Sequence, residues 1–326
     1  MRFTHLAMAC ALALVVAACG SGAGSSMGDS PTEATTTTAP SVSSTTTIAA
    51  EFPITLETAN GLVTIEERPA RIVSISPTST EVLFAIGAGE QVVAVDSLSN
   101  YPESAPVTEL SAFTPSVEAI IAQDPDLVFL SYDPADIVAG LAAVGIPAIV
   151  HGTPAGLEDA FTQWEQVGAA TGHVADATLL LAQVQADLDA AFGSVPDGAA
   201  ELTYYYELEP TLYSATATTF IGELLAGTTM TNIADDQDPD GYGYPQLSAE
   251  YIVDADPDLI LLADTLCCDQ SAATIAERPG WATLTAVTAG SILELDDDIA
   301  SRWGPRIVEL VEDVVAAMRT FDAANA

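Results

Sequence analysis

The stretch S116-V-E-A-I-I-A-Q-D-P-D-L-V-F-L130 decides the fold, because residues 248–262 repeat it as S-A-E-Y-I-V-D-A-D-P-D-L-I-L-L. Each copy places a serine before a short apolar helix pattern, followed by an Asp-Pro-Asp turn and an apolar run. Serine is a typical helix N-cap, proline ends a helix, and a continuous apolar run is typical of a buried parallel strand. The repeat therefore predicts the same helix–turn–strand unit in two similar lobes.

Strand and helix patterns alternate on both sides of a long helical stretch. From Leu157 to Phe192 the pattern is purely helical, and Gly172 divides it into helices at 157–171 and 174–192. The second helix would be about 28 Å long at 1.5 Å per residue, which is enough to link two lobes. The flanking alternation predicts mostly parallel sheets covered by helices on both faces. The other expected elements are a hairpin at 52–65, strands at 71–76, 91–95, 148–150, 202–206 and 292–295, and helices at 80–89, 134–144, 219–226 and 305–318.

The N-terminus has the features of an export signal. An apolar run from Leu6 to Ala18 is too short to span a membrane and has the length of a signal-peptide core. It ends in V16-A-A-C-G-S21, which has the form of a lipobox, although an ordinary A-x-A cleavage beside a cysteine is the alternative. We expect a lipoprotein signal peptide at 1–18 and a flexible, Ser/Thr-rich, lipid-anchored linker at 19–50. The protein would then be exported and anchored to the outer face of the cell membrane by a lipidated Cys19.

The charge balance excludes some classes of partner. The 326 residues include 46 acids, 7 arginines and no lysine, for a formal net charge of −39. Such a charge disfavours nucleic acid and anionic membrane surfaces as partners.

The sequence lacks the common catalytic motifs. No Gly-x-Ser-x-Gly, phosphate-loop or His-Glu-x-x-His motif is present, so a hydrolase using a carboxylate pair is the less favoured function, and no cofactor is expected.

Glu118 and Glu250 hold the same position in the two repeats. In a βα alternation the N-terminus of each helix lies at the edge where the strands end, and ligands of open parallel sheets bind along that edge. A glutamate would therefore stand on each lip of a cleft between the lobes. The simplest alternative is that both carboxylates only interact favourably with their helix dipoles.

Seven segments in order resemble the helix-linked (class III) substrate-binding proteins of ABC importers, the family that binds iron–siderophores, haem and cobalamin. They are R71-I-V-S-I-S-P-T-S-T-E-V-L-F-A-I-G-A-G89, the Ser99-Asn-Tyr-Pro turn, the two E-x-I-x-x-x-D-P-D-L units, T219-F-I-G-E-L-L-A226, R278-P-G-W-A-T-L284 and G304-P-R-I-V-E-L310. The resemblance implies two Rossmann-like α/β lobes at 51–172 and 195–326, a single linking helix at 173–194, and a ligand cleft between the lobes. It also implies that a monomer captures a metal chelate outside the cytoplasm and delivers it to a permease. A surface-anchored sensor or scavenger is the alternative.

The resemblance also implies roles for individual residues. Glu118 and Glu250 would dock onto arginines of an ABC permease dimer. Arg302 would face the ligand, although its alternative role is a salt bridge to one of the aspartates at 296–298, and each tyrosine is equally compatible with a surface or core position. The implied ligand contacts are Thr78, Phe113, Ser131 and Tyr132 in the first lobe and Tyr213, Tyr244, Asp298, Arg302 and Trp303 in the second.

Departures from the family pattern narrow the expected ligand. Cobalamin binders have more tryptophans where this chain has Leu98, Ser131 and Tyr244, and binders of highly anionic chelates have several basic groups. We therefore expect a neutral or weakly charged ferric siderophore such as a hydroxamate, ahead of cobalamin or haem. A bare metal ion is disfavoured because the mature chain has only His151 and His173.

The adjacent Cys267 and Cys268 lie in the expected cleft-edge loop of the second lobe. They could form a vicinal disulfide, remain two thiols or bond to a partner chain. We favour the vicinal disulfide, because the only other cysteine of the mature chain is the lipidated Cys19.

Overall fold

A computed structural model describes residues 51–325, and among these it forms eleven strands and twelve α-helices. The segments predicted as signal peptide and linker, including Cys19, lie outside the described residues. The strands are β1 (Ile54–Thr58), β2 (Gly61–Ile65), β3 (Ile72–Ile75), β4 (Val92–Asp96), β5 (Val107–Leu110), β6 (Leu127–Leu130), β7 (Ala148–Val150), β8 (Thr203–Glu207), β9 (Thr231–Asn232), β10 (Leu259–Leu262) and β11 (Ile292–Glu294). The helices are α1 (Pro77–Ala85), α2 (Val117–Ile121), α3 (Ile137–Ala142), α4 (Leu157–Thr171), α5 (Val174–Phe192), α6 (Phe220–Ala226), α7 (Ala249–Ala255), α8 (Thr265–Cys268), α9 (Ala272–Ala276), α10 (Thr285–Ala289), α11 (Asp297–Ala300) and α12 (Ile307–Asn325).

Two parallel sheets form the centres of two lobes. The first sheet has the order β5-β4-β3-β6-β7 and the second has the order β11-β10-β8-β9, and every pairing within them is parallel. In each sheet the strand that comes first in the chain lies inside the sheet, and later strands are added on both of its sides. The direction of this addition reverses between β3 and β6 in the first sheet and between β8 and β10 in the second. Such a reversal opens a crevice at the carboxyl ends of the strands. The predicted fold class of two α/β lobes is confirmed, and β1 and β2 form the predicted hairpin.

Helices α4 and α5 connect the two sheets along the chain. They end and begin at the predicted residues, and Gly172 separates them with a φ of 79°, a backbone conformation that favours glycine. The domain boundaries at residues 172 and 195 stay a prediction. Among residues 51–325, no helix combines the length and apolar character that a membrane crossing requires.

One apolar core is shared by both lobes. It joins side chains from one face of each sheet to residues of α1, α4, α5 and α12, including the buried Trp164. Two smaller cores cover the opposite faces, one over the first sheet around Ile120 and one over the second sheet around Trp281. Because the shared core is continuous, α4, α5 and α12 hold the lobes together by apolar packing.

The repeated unit has the same local structure in both lobes. Ser116 and Ser248 cap α2 and α7 by accepting hydrogen bonds from the backbone N–H groups of Ala119 and Tyr251. The four apolar residues that follow form the fully buried strands β6 and β10. The sequence prediction for this unit is confirmed.

The second aspartate of each Asp-Pro-Asp turn fastens the neighbouring strand. Asp126 accepts hydrogen bonds from the backbone N–H groups of Ala70 and Arg71, at 2.8 and 3.0 Å, just before β3 begins. Asp258 accepts from the backbone N–H and the hydroxyl of Thr203, at 2.8 and 3.0 Å, where β8 begins. These two carboxylates therefore fix the start of the first strand of each sheet, and they belong to a turn that also ends a helix.

We expect Asp258→Ala to lower the free energy of unfolding by about 1–3 kcal/mol, because two hydrogen bonds to a charged acceptor are lost at a half-buried position. Urea denaturation followed by circular dichroism measures the change. Asp254→Ala on the exposed face of α7 is the control and should change stability by less than about 0.5 kcal/mol. Equal stabilities of the two variants would contradict the proposed fastening.

Candidate functional site

The residues that the sequence predicts as ligand contacts of the first lobe lie at the carboxyl ends of its strands. Thr78 is in the first turn of α1, directly after β3, and is buried. Phe113 follows β5 and Tyr132 follows β6, with 69% and 41% of their surfaces exposed. Ser131 precedes Tyr132 and is half-buried. Two exposed aromatic rings and a hydroxyl therefore line this edge.

In the second lobe, Tyr213 and Tyr244 lie in the loops after β8 and β9. They are 39% and 46% exposed, and antiparallel backbone pairing between Tyr213 and Gln246 brings the two loops together. Tyr242, which the sequence reasoning missed, is 81% exposed in the same loop as Tyr244. The second lobe therefore presents a group of tyrosines at the matching edge.

Most exposed large apolar side chains of the described residues share this location. Eight of the twelve lie in the segments that follow the carboxyl ends of strands, and four lie elsewhere. Exposed apolar groups concentrated on one part of a surface indicate a binding region. The eight are Leu98, Tyr101, Phe113, Tyr132, Tyr213, Tyr242, Tyr244 and Leu266.

Arg302 joins the two strand-end edges. Its guanidinium donates to Asp298 at 2.5 Å within the second lobe, and to the Leu98 carbonyl at 2.9 Å and the Asn100 side chain at 3.1 Å in the first lobe. Asn100 in turn donates to Asp298 at 2.6 Å. Arg302 is only 8% exposed. The two edges therefore meet at Arg302. The salt bridge to an aspartate at 296–298, which was the alternative role of Arg302, is present. Ligand contact by Arg302 and Asp298 stays a prediction.

Glu81 completes this interlobe ion cluster. Its carboxylate, 2% exposed, accepts from Arg302 at 3.1 Å and from Arg306 at 2.6 and 3.1 Å. Glu81 projects from α1 of the first lobe, whereas both arginines directly precede α12 of the second. The sequence reasoning missed Glu81 and Arg306. The available signal was the single charged residue of this helix, in a chain with only 7 arginines.

Trp303 lies inside the junction between the lobes. Its indole N–H donates to Gln163 at 2.8 Å, and its carbonyl accepts from the indole N–H of Trp164 at 3.0 Å. The side chain is half-buried and packs against the shared core. Both of these hydrogen bonds of Trp303 are made with α4. Ligand contact by Trp303 stays a prediction.

A second charged cluster lies at the β8/β10 reversal of the second sheet. Glu207 ends β8, is fully buried, and accepts from Arg278 at 2.6 and 2.5 Å. Asp264 lies two residues beyond β10, and neither of its buried oxygens has a hydrogen-bond partner among the described residues. Burial, reinforced by the charge of Glu207, raises the pKa of Asp264 to about 7. Asp264 therefore titrates near neutral pH instead of near pH 4.

The loop after Asp264 is fastened by one carboxylate. Asp297 accepts from the backbone N–H groups of Thr265, Leu266 and Cys267, at 2.7 to 3.0 Å. Cys267 and Cys268 are joined as a vicinal disulfide in α8. Asp297 is adjacent to Asp298, so the disulfide loop is connected through α11 to the interlobe ion cluster.

The two histidines of the described chain lie apart. His151 is buried, with its ring nitrogens facing Gln166 at 3.0 Å and Ser79 at 3.4 Å, and burial lowers its pKa to about 4. His173 precedes α5 and contacts Arg68 and Gln91. Within residues 51–325, no group of three or more His, Cys, Asp or Glu side chains is arranged to hold a metal ion.

Glu118 and Glu250 are exposed in the first turns of α2 and α7. Ser116 donates to the Glu118 carboxylate at 3.0 Å, and backbone and serine hydrogen bonds lower the pKa of Glu118. Both carboxylates therefore stand at the strand-end edges, one on each lobe.

Comparisons with known proteins agree with this architecture. A family model described as a periplasmic binding protein matches residues 72–299. YvrC of Bacillus subtilis, described as an ABC transporter substrate-binding lipoprotein, is 29% identical over 277 residues, covering 82% of this chain and 86% of YvrC. A cobalamin-binding protein of Halobacterium salinarum is 30% identical over 271 residues, covering 80% and 73% of the two chains. The solved haem-binding protein RhuT of Roseiflexus sp. RS-1 is 27% identical with a TM-score of 0.65, covering 78% and 98%.

We expect Asp264→Asn to remove one component of the pH dependence of stability. Since the folded-state pKa of Asp264 is about 7 against an ordinary value of 3.8, the folded protein binds more protons than the unfolded chain between these values. The free energy of unfolding should therefore fall as pH rises through this window, by on the order of a few kcal/mol, and the Asn variant should lack this fall.

The measurement is the difference in unfolding free energy between wild type and Asp264→Asn at pH 4.5 and pH 8. Asp269→Asn, an exposed position nearby, is the control and should follow the wild type. A difference between wild type and Asp264→Asn that does not change with pH would show that Asp264 titrates normally.

Proposed function

Since this chain belongs to the periplasmic binding protein family, we propose that it is the extracytoplasmic substrate-binding protein of an ABC importer. The observation that carries the proposal is the family match, which extends through both sheets. The exposed aromatic groups on the facing edges of the two lobes support a binding role. The family is one of binding proteins, which agrees with the expectation that this chain is not an enzyme.

We propose that the ligand is a large, weakly charged metal chelate that lies between the two edges. Tyrosines offer a flat apolar face and a hydroxyl, which suit such a ligand. Arg302 is the one cation expected there, and its charge is compensated by Glu81 and Asp298, so a highly anionic chelate would find no unpaired cation. The 30% identity to a cobalamin-binding protein moves cobalamin ahead of the hydroxamate siderophore that the sequence reasoning favoured.

The ligand is tested by titrating the purified protein with cyanocobalamin, a ferric hydroxamate and haem, each followed by its visible absorption and by protein fluorescence. We expect cyanocobalamin to bind with a Kd below about 1 μM. Tyr132→Ala and Tyr244→Ala should each weaken binding about tenfold because a stacking face is lost. Val144→Ala, an exposed apolar residue outside the edges, is the control. If none of the three chelates binds below about 100 μM, the ligand class is wrong.

We propose that Glu118 and Glu250 dock onto arginines of the permease dimer. Their exposure and equivalent positions on the two lobes support this, because a two-fold permease requires one contact from each lobe. The anchor proposed at Cys19 would keep the protein near its permease. A sensor or scavenger would not require this carboxylate pair.

The double variant Glu118→Arg/Glu250→Arg should bind ligand normally but lose uptake by more than about tenfold, because two attractive charge contacts become repulsive. The measurement is accumulation of labelled ligand in cells that carry only the variant. Glu109→Arg/Glu277→Arg changes two other exposed glutamates by the same charge and should retain uptake. Normal uptake by the first double variant would contradict the docking role and would leave ligand binding unaffected.

A further inference from the structure

A pocket of about 440 Å³ lies where α5 meets both lobes, outside the residues proposed for the chelate. Its walls come from α1 and the 101–102 turn of the first lobe, from α5, and from the start of α12 in the second lobe. This volume lies within the range of small-molecule sites, about 300–1,000 Å³.

The inner surface of the pocket is apolar. Phe84 of α1, Leu180 and Val184 of α5, and Val308 of α12 contribute side chains that pack on the shared core. Tyr101 forms part of the mouth and is 46% exposed. An apolar body of about the size of a phenyl ring would be removed from water on this surface.

The outer surface of the pocket is acidic. Glu81, Asp187 and Glu309 line it together with a single cation, Arg306. Arg306 stacks over the ring of Tyr101 at 4.2 Å, and its donors point to Glu81, whose charge is thereby compensated. Asp187 accepts from the neutral Gln183 at 2.8 and 2.9 Å. Glu309 makes no salt bridge within 4.0 Å among the described residues, and Arg306 interacts with it only at longer range. Three carboxylates therefore line the pocket against one cation, and the net charge of the lining is negative.

We propose that this pocket binds a small amphipathic organic cation, with an apolar body against α5 and α12 and an ammonium group beside Glu309 and Asp187. A carboxylate or phosphate ligand would face the net negative charge of this lining. The pocket shares Tyr101 with the exposed apolar group at the strand-end edges but none of the residues proposed to contact the chelate.

The test uses isothermal titration of the full-length protein with 2-phenylethylammonium, 2-phenylethanol and 3-phenylpropionate. The ammonium compound should bind with a Kd of about 1 mM or tighter, at least fivefold tighter than the alcohol, and the carboxylate should not bind. Glu309→Gln should weaken the ammonium compound about 3- to 10-fold and remove its advantage over the alcohol. Leu180→Trp should abolish binding by filling the pocket.

Glu312→Gln is the matched control, because Glu312 is an exposed acid on the same helix that does not line the pocket. Glu309→Lys tests the charge on an exposed side chain without changing the core, and should abolish binding of the ammonium compound. If Glu309→Gln and Glu312→Gln weakened binding of the ammonium compound equally, the compound would be attracted only by the acidic surface as a whole, and the proposed site would be overturned. Absence of binding, or equal binding of all three compounds, would overturn it as well.

Discussion

The carboxylate of Glu81, shared by Arg302 and Arg306, is the interaction on which the arrangement of the lobes depends. This interaction brings one carboxylate of the first lobe and two guanidinium groups of the second into a region from which water is nearly excluded. A buried charge is tolerated only where partners compensate it, and here Asp298 supplies the second negative charge for the two guanidinium groups. Because each group depends on the others, any movement that separates the lobes at this point would expose unpaired buried charge. The apolar core shared through α4, α5 and α12 brings the lobes together, and the ion cluster fixes their register.

The two lobes use one local design for different purposes. The Ser cap, the Asp-Pro-Asp turn and the buried strand recur, and the second aspartate fastens the first strand of the sheet in both. The surroundings of the sheet reversal differ. In the first lobe it lies beside hydroxyl groups such as Thr78, whereas in the second it contains Glu207 and Asp264, whose pKa is raised by burial. The repeat therefore establishes equivalent scaffolds, and the functional differences lie in the loops that the scaffold holds.

Features set by nearby residues could be predicted from the sequence, whereas features set by distant partners could not. Gly172 and the apolar spacing locate α4 and α5, and the repeat locates α2, β6, α7 and β10. The segment from 265 to 300 forms four short helices that sequence reasoning missed, because four or five residues give too little periodicity to detect. Arg302 was expected to face a ligand because cations are rare in this chain. Its partner Glu81 lies 221 positions away, and only the folded chain brings the two together.

The rarity of cations links the fold to the choice of ligand. Three of the six arginines in residues 51–325 lie near the carboxyl ends of the strands, and each of them pairs with a buried glutamate, so none of these three is left as an unpaired charge. They are Arg278, Arg302 and Arg306. The excess of carboxylates is therefore uncompensated on the surface, and an anionic ligand would meet a repulsive field on approach. A ligand held by tyrosine faces and hydroxyl groups avoids this penalty, because its binding free energy comes from apolar contact and neutral hydrogen bonds. The same surface charge favours encounter with a basic partner, so the composition that disfavours an anionic ligand is the one that favours docking onto arginines.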